Sequence, residues 1–346
     1  MTRHDNTAEQ NPGFTLLDQG EIESVIAAFR EGTRGDAQTV RAGPATCPEV
    51  TQRSSADRVH EQAPGSSSEV GDTMRVLVDG AELFCSSRGS GAVCLVLCGM
   101  GTAPYERQMP SALNDRLRLV FVDLRGSGRS SGEPKDLTFD LIANDLEAVR
   151  VASGVERLAV LGHSIFGALA IEYGRRYPAH VSHVVTIGTP PRGDMTRLAT
   201  DSAAFFQKEA SEERQRLLHE NLARLAGDAS PGQFLFAQTP MRFFDARFDA
   251  APLYAGAVVK PEFYAHLMGA LTPAWDVTVG TPGLQAPLFI ALGRHDYTVP
   301  FSLWDDIAPA LPCATVQMFE RSGHQPFFEE PDLFTARLTD WMTSRL

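Results

Sequence analysis

The stretch Leu158–Gly167 constrains the fold of this chain more than any other. An apolar run of strand length at residues 158–161 stops at Gly162, and a helical pattern follows over residues 165–177. Ser164 therefore lies at a sharp turn from a strand into a helix, which is the geometry of a nucleophile elbow. Such a turn exposes the hydroxyl above the sheet edge, where the free N–H groups of the helix N-terminus can stabilise an oxyanion.

Two further strand ends carry the residues that a nucleophilic serine requires. The apolar run 286–292 leads to Asp296, and the run 314–319 is followed by His324. Parallel sheets place their chemistry beyond the carboxyl ends of their strands, so these side chains are expected near Ser164. We predict that Ser164 attacks, that His324 is the general base, and that Asp296 orients the imidazole.

Each of these residues also has a purely structural interpretation. Ser164 could be an ordinary helix N-cap, and Asp296 could cap the turn before Val299 and Pro300. A histidine in a loop, such as His324, can simply satisfy backbone groups. The serine, the acid and the histidine all follow strand ends in the order that a hydrolase needs, and this favours the catalytic interpretation.

A third strand end supplies candidate oxyanion donors. The buried strand pattern at residues 92–98 runs into Gly99, Met100 and Gly101. Glycine allows backbone N–H groups to approach a ligand closely. We predict that the N–H groups of Met100 and Ile165 form the oxyanion hole and that Gly99 supplies the flexible turn. The alternative is a plain tight turn.

These motifs together resemble the α/β-hydrolase superfamily, from about Met74 to the C-terminus. Residues 123–130 (DLRGSGRS) resemble the family's turn after the fourth strand, and residues 323–331 (GHQPFFEEP) resemble its histidine loop. Within the superfamily, the chain looks most like the group of proline iminopeptidases and related esterases. The resemblance implies an α/β fold with a mostly parallel eight-stranded sheet, helices on both faces and a helical cap.

Two positions depart from the family pattern. Phe166 stands two residues after the serine, where the family has glycine, and Gly167 follows it. We therefore expect different local packing at this turn. Iminopeptidases carry His-Gly-Gly-Pro-Gly in the oxyanion loop, whereas residues 98–102 of this chain are Cys-Gly-Met-Gly-Thr. Backbone groups form the oxyanion hole, so this second departure weakens the peptidase assignment and leaves the hole intact.

The remaining polar candidates are interpreted as structural. His163 cannot orient correctly toward its own neighbour Ser164, and Cys98 is expected to be a small buried group. Three polar residues of the loop after the fourth strand are expected to brace that loop: Asp123, Arg125 and Ser130. No His, Cys or Asp cluster has metal spacing, and no glycine pattern matches a phosphate loop, so the sequence predicts no metal and no cofactor.

Composition limits the partners and the compartment. The net charge of −12 argues against nucleic acid and anionic membranes, since both require basic patches. No apolar run reaches the roughly 18 residues of a membrane span, and the N-terminus has no signal-peptide core. Cys94 and Cys98 would stand about 13 Å apart in one strand, too far for a disulfide. We predict a cytoplasmic protein with free thiols and a small-molecule substrate.

The chain divides into three parts. Residues 1–73 carry six arginines against twelve acidic residues and are rich in Ser, Gly, Pro and Gln, which is the composition of a disordered leader. Met74 begins a strand-like run and would also make a sensible translation start. Residues 74–190 and 276–346 alternate strands with helices, which predicts the hydrolase core. Residues 191–275 carry helical patterns and resemble the family's cap over the active site.

The expected elements follow from the hydrophobic periodicity. The first two strands have no helix between them, so we expect an antiparallel hairpin at the sheet edge. A short apolar stripe in the leader, Ile22–Phe29, and the cap segment 241–248 both have helical spacing. We expect strands at 74–79, 82–87, 92–98, 118–123, 157–162, 181–187, 286–292 and 314–319, and helices near 105–116, 138–153, 165–177, 302–309 and 332–344.

We therefore predict a serine hydrolase that cleaves an ester, lactone or amide of a small molecule through an acyl-enzyme. One alternative is a proline iminopeptidase-type aminopeptidase, which would need cap carboxylates for the substrate ammonium. Asp245, Asp249 and Glu262 are available, but we assign them no role. An alternative of a different class is a non-hydrolytic small-ligand receptor on the same fold. The cap aromatics are expected in the core more than against a ligand: Phe243, Phe244, Phe248, Tyr254, Phe263 and Tyr264.

Overall fold

One mixed sheet organises the molecule. The computed structural model describes residues 51–52, 72–225, 231–279 and 283–345. Its strands lie in the order β1-β2-β3-β5-β4-β6-β7-β8-β9. They are β1 (Thr51–Gln52), β2 (Asp72–Val78), β3 (Ala81–Arg88), β4 (Ala92–Cys98), β5 (Leu117–Asp123), β6 (Leu158–His163), β7 (Val181–Ile187), β8 (Leu288–Gly293) and β9 (Ala314–Phe319).

The sheet is parallel from β5 through β4, β6, β7 and β8 to β9, and antiparallel from β1 through β2 and β3 to β5. Asp79 and Gly80 join β2 to β3, and their positive φ values of 45° and 74° suit a tight hairpin turn. The predicted mostly parallel sheet and its antiparallel hairpin edge are therefore confirmed. The two-residue β1 is an addition to the eight predicted strands.

The predicted leader meets the sheet at one point. Thr51 and Gln52 pair antiparallel with Leu77 and Val76 of β2. The first long strand begins at Asp72, two residues before the predicted boundary. Residues 1–50 and 53–71, including the apolar stripe Ile22–Phe29, lie outside the described residues, and their predicted disorder stays a prediction.

Helices connect the parallel strands and cover both faces of the sheet. The α-helices of the described ranges are α1 (Thr102–Gln108), α2 (Phe139–Ala152), α3 (Phe166–Arg176), α4 (Met195–Glu209), α5 (Glu212–Ala223), α6 (Pro231–Ala237), α7 (Thr239–Arg242), α8 (Pro261–His266), α9 (Pro326–Glu329) and α10 (Pro331–Ser344). Shorter turns of 3₁₀ helix lie at Ser111–Asp115, Pro134–Asp136, Ala251–Tyr254, Phe301–Trp304 and Ala308–Ala310, and a π turn lies at Leu267–Leu271. Within the described ranges, no helix is long and apolar enough to cross a membrane.

Proline explains two differences from the predicted helices. The helix predicted near 105–116 ends at Gln108, because the residue before Pro110 adopts an extended conformation with ψ of 135°. The prediction of a helix near 302–309 is wrong, since two 3₁₀ turns occupy that segment. Pro309 lacks the N–H group that an α-helix would pair with the carbonyl of Asp305.

The core has one layer on each face of the sheet. In β4, Leu95 and Leu97 pack into the layer that α2 and α3 cover. Their neighbours Val96 and Cys98 point to the opposite layer, which α10 covers. All four side chains are fully buried, which the two-residue period of a strand covered on both faces requires.

The segment predicted to form the cap, residues 191–275, lies between β7 and β8 and contains α4 to α8. Its two ends are joined where Arg192 bonds to Asp276 at 2.7 Å. The helix predicted over 241–248 ends at Arg242, because backbone groups that would continue the helix form hydrogen bonds with the histidine loop instead. The Arg242 carbonyl accepts from the N–H of His324 at 2.7 Å, and Glu329 accepts from the N–H of Phe244 at 2.6 Å.

Candidate active site

Ser164 occupies the turn between β6 and α3 in a strained conformation. Its φ of 56° is positive, which is uncommon for any residue other than glycine. The surrounding backbone maintains this conformation, since Ser164 N–H donates to Ile187 O at 2.8 Å. The Thr189 hydroxyl donates to Ser164 O, also at 2.8 Å. Strain of this kind is typical of functional positions whose side chain the fold must aim.

Two glycines allow the close packing at this turn, Gly99 against Phe166 and Gly167 against Thr189. A Cβ atom on Gly99 would lie 2.2 Å from the Phe166 ring, so only glycine fits beneath that ring. A Cβ atom on Gly167 would lie 2.0 Å from Thr189 Oγ1, so glycine is also needed one position later than in the family pattern. Phe166 is 3% exposed. That this packing differs from the family's stays a prediction.

Asp296 and His324 form a buried hydrogen-bonded pair. His324 Nδ1 lies 2.6 Å from Asp296 Oδ2, and the other carboxylate oxygen accepts from the N–H groups of Thr298 and Val299, each at 2.9 Å. These bonds fix both the carboxylate and the imidazole. Burial lowers the pKa of His324, the Asp296 carboxylate raises it, and the Arg242 charge lowers it. The net direction is downward, so His324 is neutral and able to accept a proton.

The second imidazole nitrogen is unoccupied. His324 Nε2 is buried and has no hydrogen-bond partner among the described residues, Ser164 included. The catalytic serine–histidine bond is often long in a free enzyme and tightens when substrate binds. The β6–β7 register sets Ser164 beside Gly188, because His163 pairs with Ile187. A Cβ atom on Gly188 would lie 2.8 Å from His324 Nδ1, so His324 lies close to the serine turn.

His163 braces the histidine loop. Its Nε2 lies 2.9 Å from the carbonyl oxygen of His324, so this nitrogen carries the proton and donates it. Its Nδ1 lies 3.2 Å from the Tyr105 hydroxyl, which is then the donor. Burial lowers the pKa of His163 well below its ordinary value. Because both ring nitrogens are engaged, the geometry agrees with the structural role expected for His163.

The strand register places the candidate oxyanion donors beside the serine. Val96 of β4 pairs with Leu161 of β6, and Gly99 and Ser164 each follow three residues later. Met100 O accepts from the cap residue Val258 at 2.8 Å. Within the described ranges, the N–H groups of Met100 and Ile165 donate to no backbone carbonyl or side chain. Both groups are therefore available to a substrate oxygen.

A family model described as the alpha/beta hydrolase fold matches residues 91–331. The chain belongs to this family. This α/β-hydrolase is 32% identical to the AB hydrolase superfamily protein YclE of Bacillus subtilis (strain 168) over 274 residues, 76% of this chain and 96% of that protein. It is 28% identical to the pimeloyl-(acyl-carrier protein) methyl ester esterase of Pectobacterium atrosepticum, over 75% of this chain and 97% of that one. The proline iminopeptidase structure from Mycobacterium smegmatis superposes with a TM-score of 0.61 at 21% identity, covering 79% and 98% of the two chains, and shows a shared fold.

The loop after β5 has a bracing role in this hydrolase, as expected. Asp123 is fully buried and accepts from the N–H of Arg129 at 2.8 Å. Ser130 Oγ donates to Asp123 O at 2.6 Å and accepts from the N–H of Phe84 at 2.9 Å. Arg125 bonds to Asp145 through Nε at 2.8 Å. These bonds support a bracing role for the three side chains, and Asp123 Oδ1 is buried without a hydrogen-bond partner among the described residues.

Cys98 is excluded as a nucleophile. Its side chain is fully buried, and burial raises the pKa of its thiol well above the ordinary value. A thiol must lose its proton to react, so this cysteine is inert. Four cysteines of the described ranges carry free thiols: Cys85, Cys94, Cys98 and Cys313. Cys47 lies outside the described residues.

The structure adds polar residues that sequence reasoning missed. Arg242 Nε, Tyr264 Oη and Gln325 Oε1 are buried and have no hydrogen-bond partner among the described residues. Tyr264 packs against the core, as expected, and its hydroxyl lies 3.0 Å from where a Cβ atom of Gly99 would be. No sequence signal marks Arg242, because only the packing of the cap brings it to His324.

One cavity beside the histidine loop is lined by none of the three proposed catalytic residues. It has a volume of about 410 Å³ and is lined by cap and histidine-loop residues. Its lining residues are Phe243, Phe244, Asp245, Phe248, Arg321, Phe328, Glu329 and Glu330. Among the residues that the structure describes, no group of three or more His, Cys, Asp or Glu could hold a metal ion.

Proposed function

We propose that this α/β-hydrolase is a serine hydrolase that works through an acyl-enzyme. The observation that carries the proposal is the buried Asp296–His324 pair, whose free Nε2 lies beside the serine turn. Ser164 Oγ attacks the substrate carbonyl while His324 Nε2 takes its proton. The same proton then passes to the leaving group as the carbonyl–oxygen bond breaks. Water repeats the cycle on the acyl-enzyme and releases the acid.

Asp296 and the oxyanion hole stabilise the charges of this reaction. The Asp296 carboxylate balances the imidazolium that forms on His324, and its bond to Nδ1 fixes the reactive tautomer. The N–H groups of Met100 and Ile165 donate to the developing oxyanion. Each such donor contributes about 3–4 kcal/mol to transition-state stabilisation. This assignment is supported because neither N–H group donates a hydrogen bond within the described residues.

Esters and lactones are the proposed substrate class. An aminopeptidase must bind a free ammonium group, but the three cap carboxylates available for this are exposed. Asp245 and Asp249 accept from the nearby N–H groups of Arg247 and Ala251 instead. The unpaired charge beside His324 is the cationic Arg242, which would repel a substrate ammonium. A complete triad also favours an enzyme over a non-hydrolytic receptor.

We also propose that the enzyme acts in the cytoplasm on a small-molecule substrate. The free thiols at Cys85, Cys94, Cys98 and Cys313 support this compartment, since oxidising compartments favour disulfides.

Labelling and substrate screening together test the function. The protein is treated with a fluorophosphonate, and the labelled residue is identified by peptide mass spectrometry. The same preparation is then assayed on short-chain esters, lactones and aminoacyl-naphthylamides. We expect the label on Ser164 and turnover of esters or lactones. Labelling without turnover of any class would favour the receptor, and efficient cleavage of a prolyl amide would favour the aminopeptidase.

A further inference from the structure

Four buried polar atoms around the proposed base have no partner within the described ranges. They are His324 Nε2, Arg242 Nε, Tyr264 Oη and Gln325 Oε1. Burying a polar group without a hydrogen bond is unfavourable, so such groups call for an explanation. His324 Nε2 is explained by the proposed mechanism. The other three are polar groups that a ligand bound beside His324 could pair with.

Arg242 is the charged member of this cluster. It ends α7, and its carbonyl accepts from His324 N at 2.7 Å, which fixes its backbone against the histidine loop. No carboxylate of the described residues forms an ion pair with its guanidinium. Arg214 of α5 provides the contrast, because its guanidinium donates to the carbonyls of Pro240, Phe243 and Phe244 and so holds the cap together. Arg242 has no such structural duty.

The charge of Arg242 acts on the catalytic groups. Burial is the largest cause that lowers the pKa of His324, and Arg242 lowers it further. Arg242 also opposes the rise that burial causes in the pKa of Tyr264. An unneutralised guanidinium disfavours the imidazolium that must form on His324 during acyl transfer. An anionic substrate group would remove that penalty by pairing with the half-buried Arg242 side chain, whose Nε atom is buried.

Neutral polar groups lie near the oxyanion loop and the histidine loop. The Tyr264 hydroxyl lies near the oxyanion loop at Gly99, and Gln325 Nε2 donates to the Tyr254 hydroxyl at 2.7 Å. The Tyr254 proton is therefore free to be donated onward. A carboxylate has two oxygens that can accept several hydrogen bonds, which suits one guanidinium flanked by hydroxyls.

We propose that Arg242 binds a carboxylate group of the substrate, so that this hydrolase prefers esters that carry a free carboxylate a few bonds from the scissile carbonyl. This inference rests on the proposed function and names the substrate class of the same site. Tyr264 and Tyr254 supply neutral hydrogen bonds to that carboxylate or to the atoms beside it.

Matched substrate pairs test the preference. The acyl-side pairs are the monomethyl esters of succinate, glutarate and adipate, each against the analogue whose free carboxylate is a carboxamide. The alcohol-side pair is acetoxyacetate against acetoxyacetamide. We expect kcat/KM to be at least tenfold higher for the carboxylate member of one pair or more. Equal values in every pair would overturn the inference.

Two arginine variants locate the preference. Arg242→Gln should bring the carboxylate-to-carboxamide ratio of kcat/KM close to one, and Arg242→Lys should keep part of it. Arg247→Gln is the matched control, because Arg247 is an exposed cap arginine paired with Glu213. Arg247→Gln also removes one positive charge from the cap, and it should keep the wild-type carboxylate-to-carboxamide ratio of kcat/KM. An equal loss of the ratio in Arg247→Gln would contradict a specific site at Arg242.

The failure of this inference and the failure of the proposed function can be told apart. If esters are cleaved but no pair shows a preference, the inference is wrong and the hydrolase function stands. If no ester is cleaved, calorimetric titration of Ser164→Ala with monomethyl glutarate tests the carboxylate site alone. Binding that is lost in Ser164→Ala/Arg242→Gln would support the site, and absence of binding would overturn it.

Discussion

His324 Nδ1 lies 2.6 Å from Asp296 Oδ2, and the two side chains are only 0% and 1% exposed. A buried carboxylate is costly unless it is hydrogen-bonded, and Asp296 accepts three such bonds. The pair therefore has a fixed geometry, and its imidazole lies close to Gly188 beside the serine turn. On the proposed mechanism, this geometry sets the tautomer of the base before any substrate arrives.

Replacing the acid of this pair should impair catalysis and preserve the fold. Asp296→Asn keeps the size of the side chain but removes the charge that stabilises the imidazolium. We expect kcat to fall on the order of 10⁴-fold, as the loss of the correct tautomer implies. The measurement is steady-state turnover of a short-chain ester, with circular dichroism as the control for folding. A loss smaller than tenfold in a folded variant would remove Asp296 from the catalytic set.

The pH dependence of the reaction should reflect the lowered pKa of His324. The base works only when neutral, so kcat/KM rises as pH increases through the pKa of His324 and then levels off. Burial lowers that pKa below the ordinary 6.5, so the acid limb should lie below pH 6.5. Arg242→Gln removes a positive charge and should move the limb to higher pH. Burial raises the pKa of Glu329 to about 7, so a limb near pH 7 that disappears in Glu329→Gln would assign the titration to that residue instead.

The contact between Gly99 and Phe166 gives a test of the oxyanion loop. A Cβ atom at residue 99 would lie 2.2 Å from the Phe166 ring, so Gly99→Ala must displace the loop that carries Met100. We expect kcat to fall roughly 10–100-fold, which is less than the fall in kcat when one oxyanion donor is removed completely. Adding Phe166→Leu removes the clashing ring atoms and should restore part of the activity. Wild-type turnover in folded Gly99→Ala would show that the loop does not contribute a donor.

The leader should be dispensable for chemistry. All proposed catalytic groups lie beyond residue 98, and β2 begins at Asp72. A chain that begins at Asp72 should therefore keep kcat/KM within about threefold, less than ~1 kcal/mol in transition-state stabilisation. Its thermal unfolding should show the modest loss expected from removing the two-residue β1. A tenfold change in KM would mean that residues 1–71 contribute to substrate binding.

The sequence predicts the sheet and the proposed triad because both predictions depend on local patterns. Ser164, Asp296 and His324 each follow an apolar strand, and parallel strands bring their carboxyl ends to one edge. Arg242 could not be found in this way. Its position depends on the packing of the cap. The Arg242 carbonyl accepts a hydrogen bond from the histidine loop, so the helix ends at Arg242, whereas the sequence predicted it to continue to residue 248. Long-range hydrogen bonds of this kind leave no periodic signal.

Burst kinetics can show whether Ser164 forms the acyl-enzyme. Wild-type protein mixed with excess p-nitrophenyl acetate should release a burst of nitrophenol close to one equivalent per active site, and electrospray mass spectrometry should find the acetyl group on Ser164. Ser164→Ala, whose methyl group fits the same turn, should fold normally but show neither burst nor acylation. A folded Ser164→Ala protein that keeps the burst or the wild-type turnover would contradict the assignment of the nucleophile.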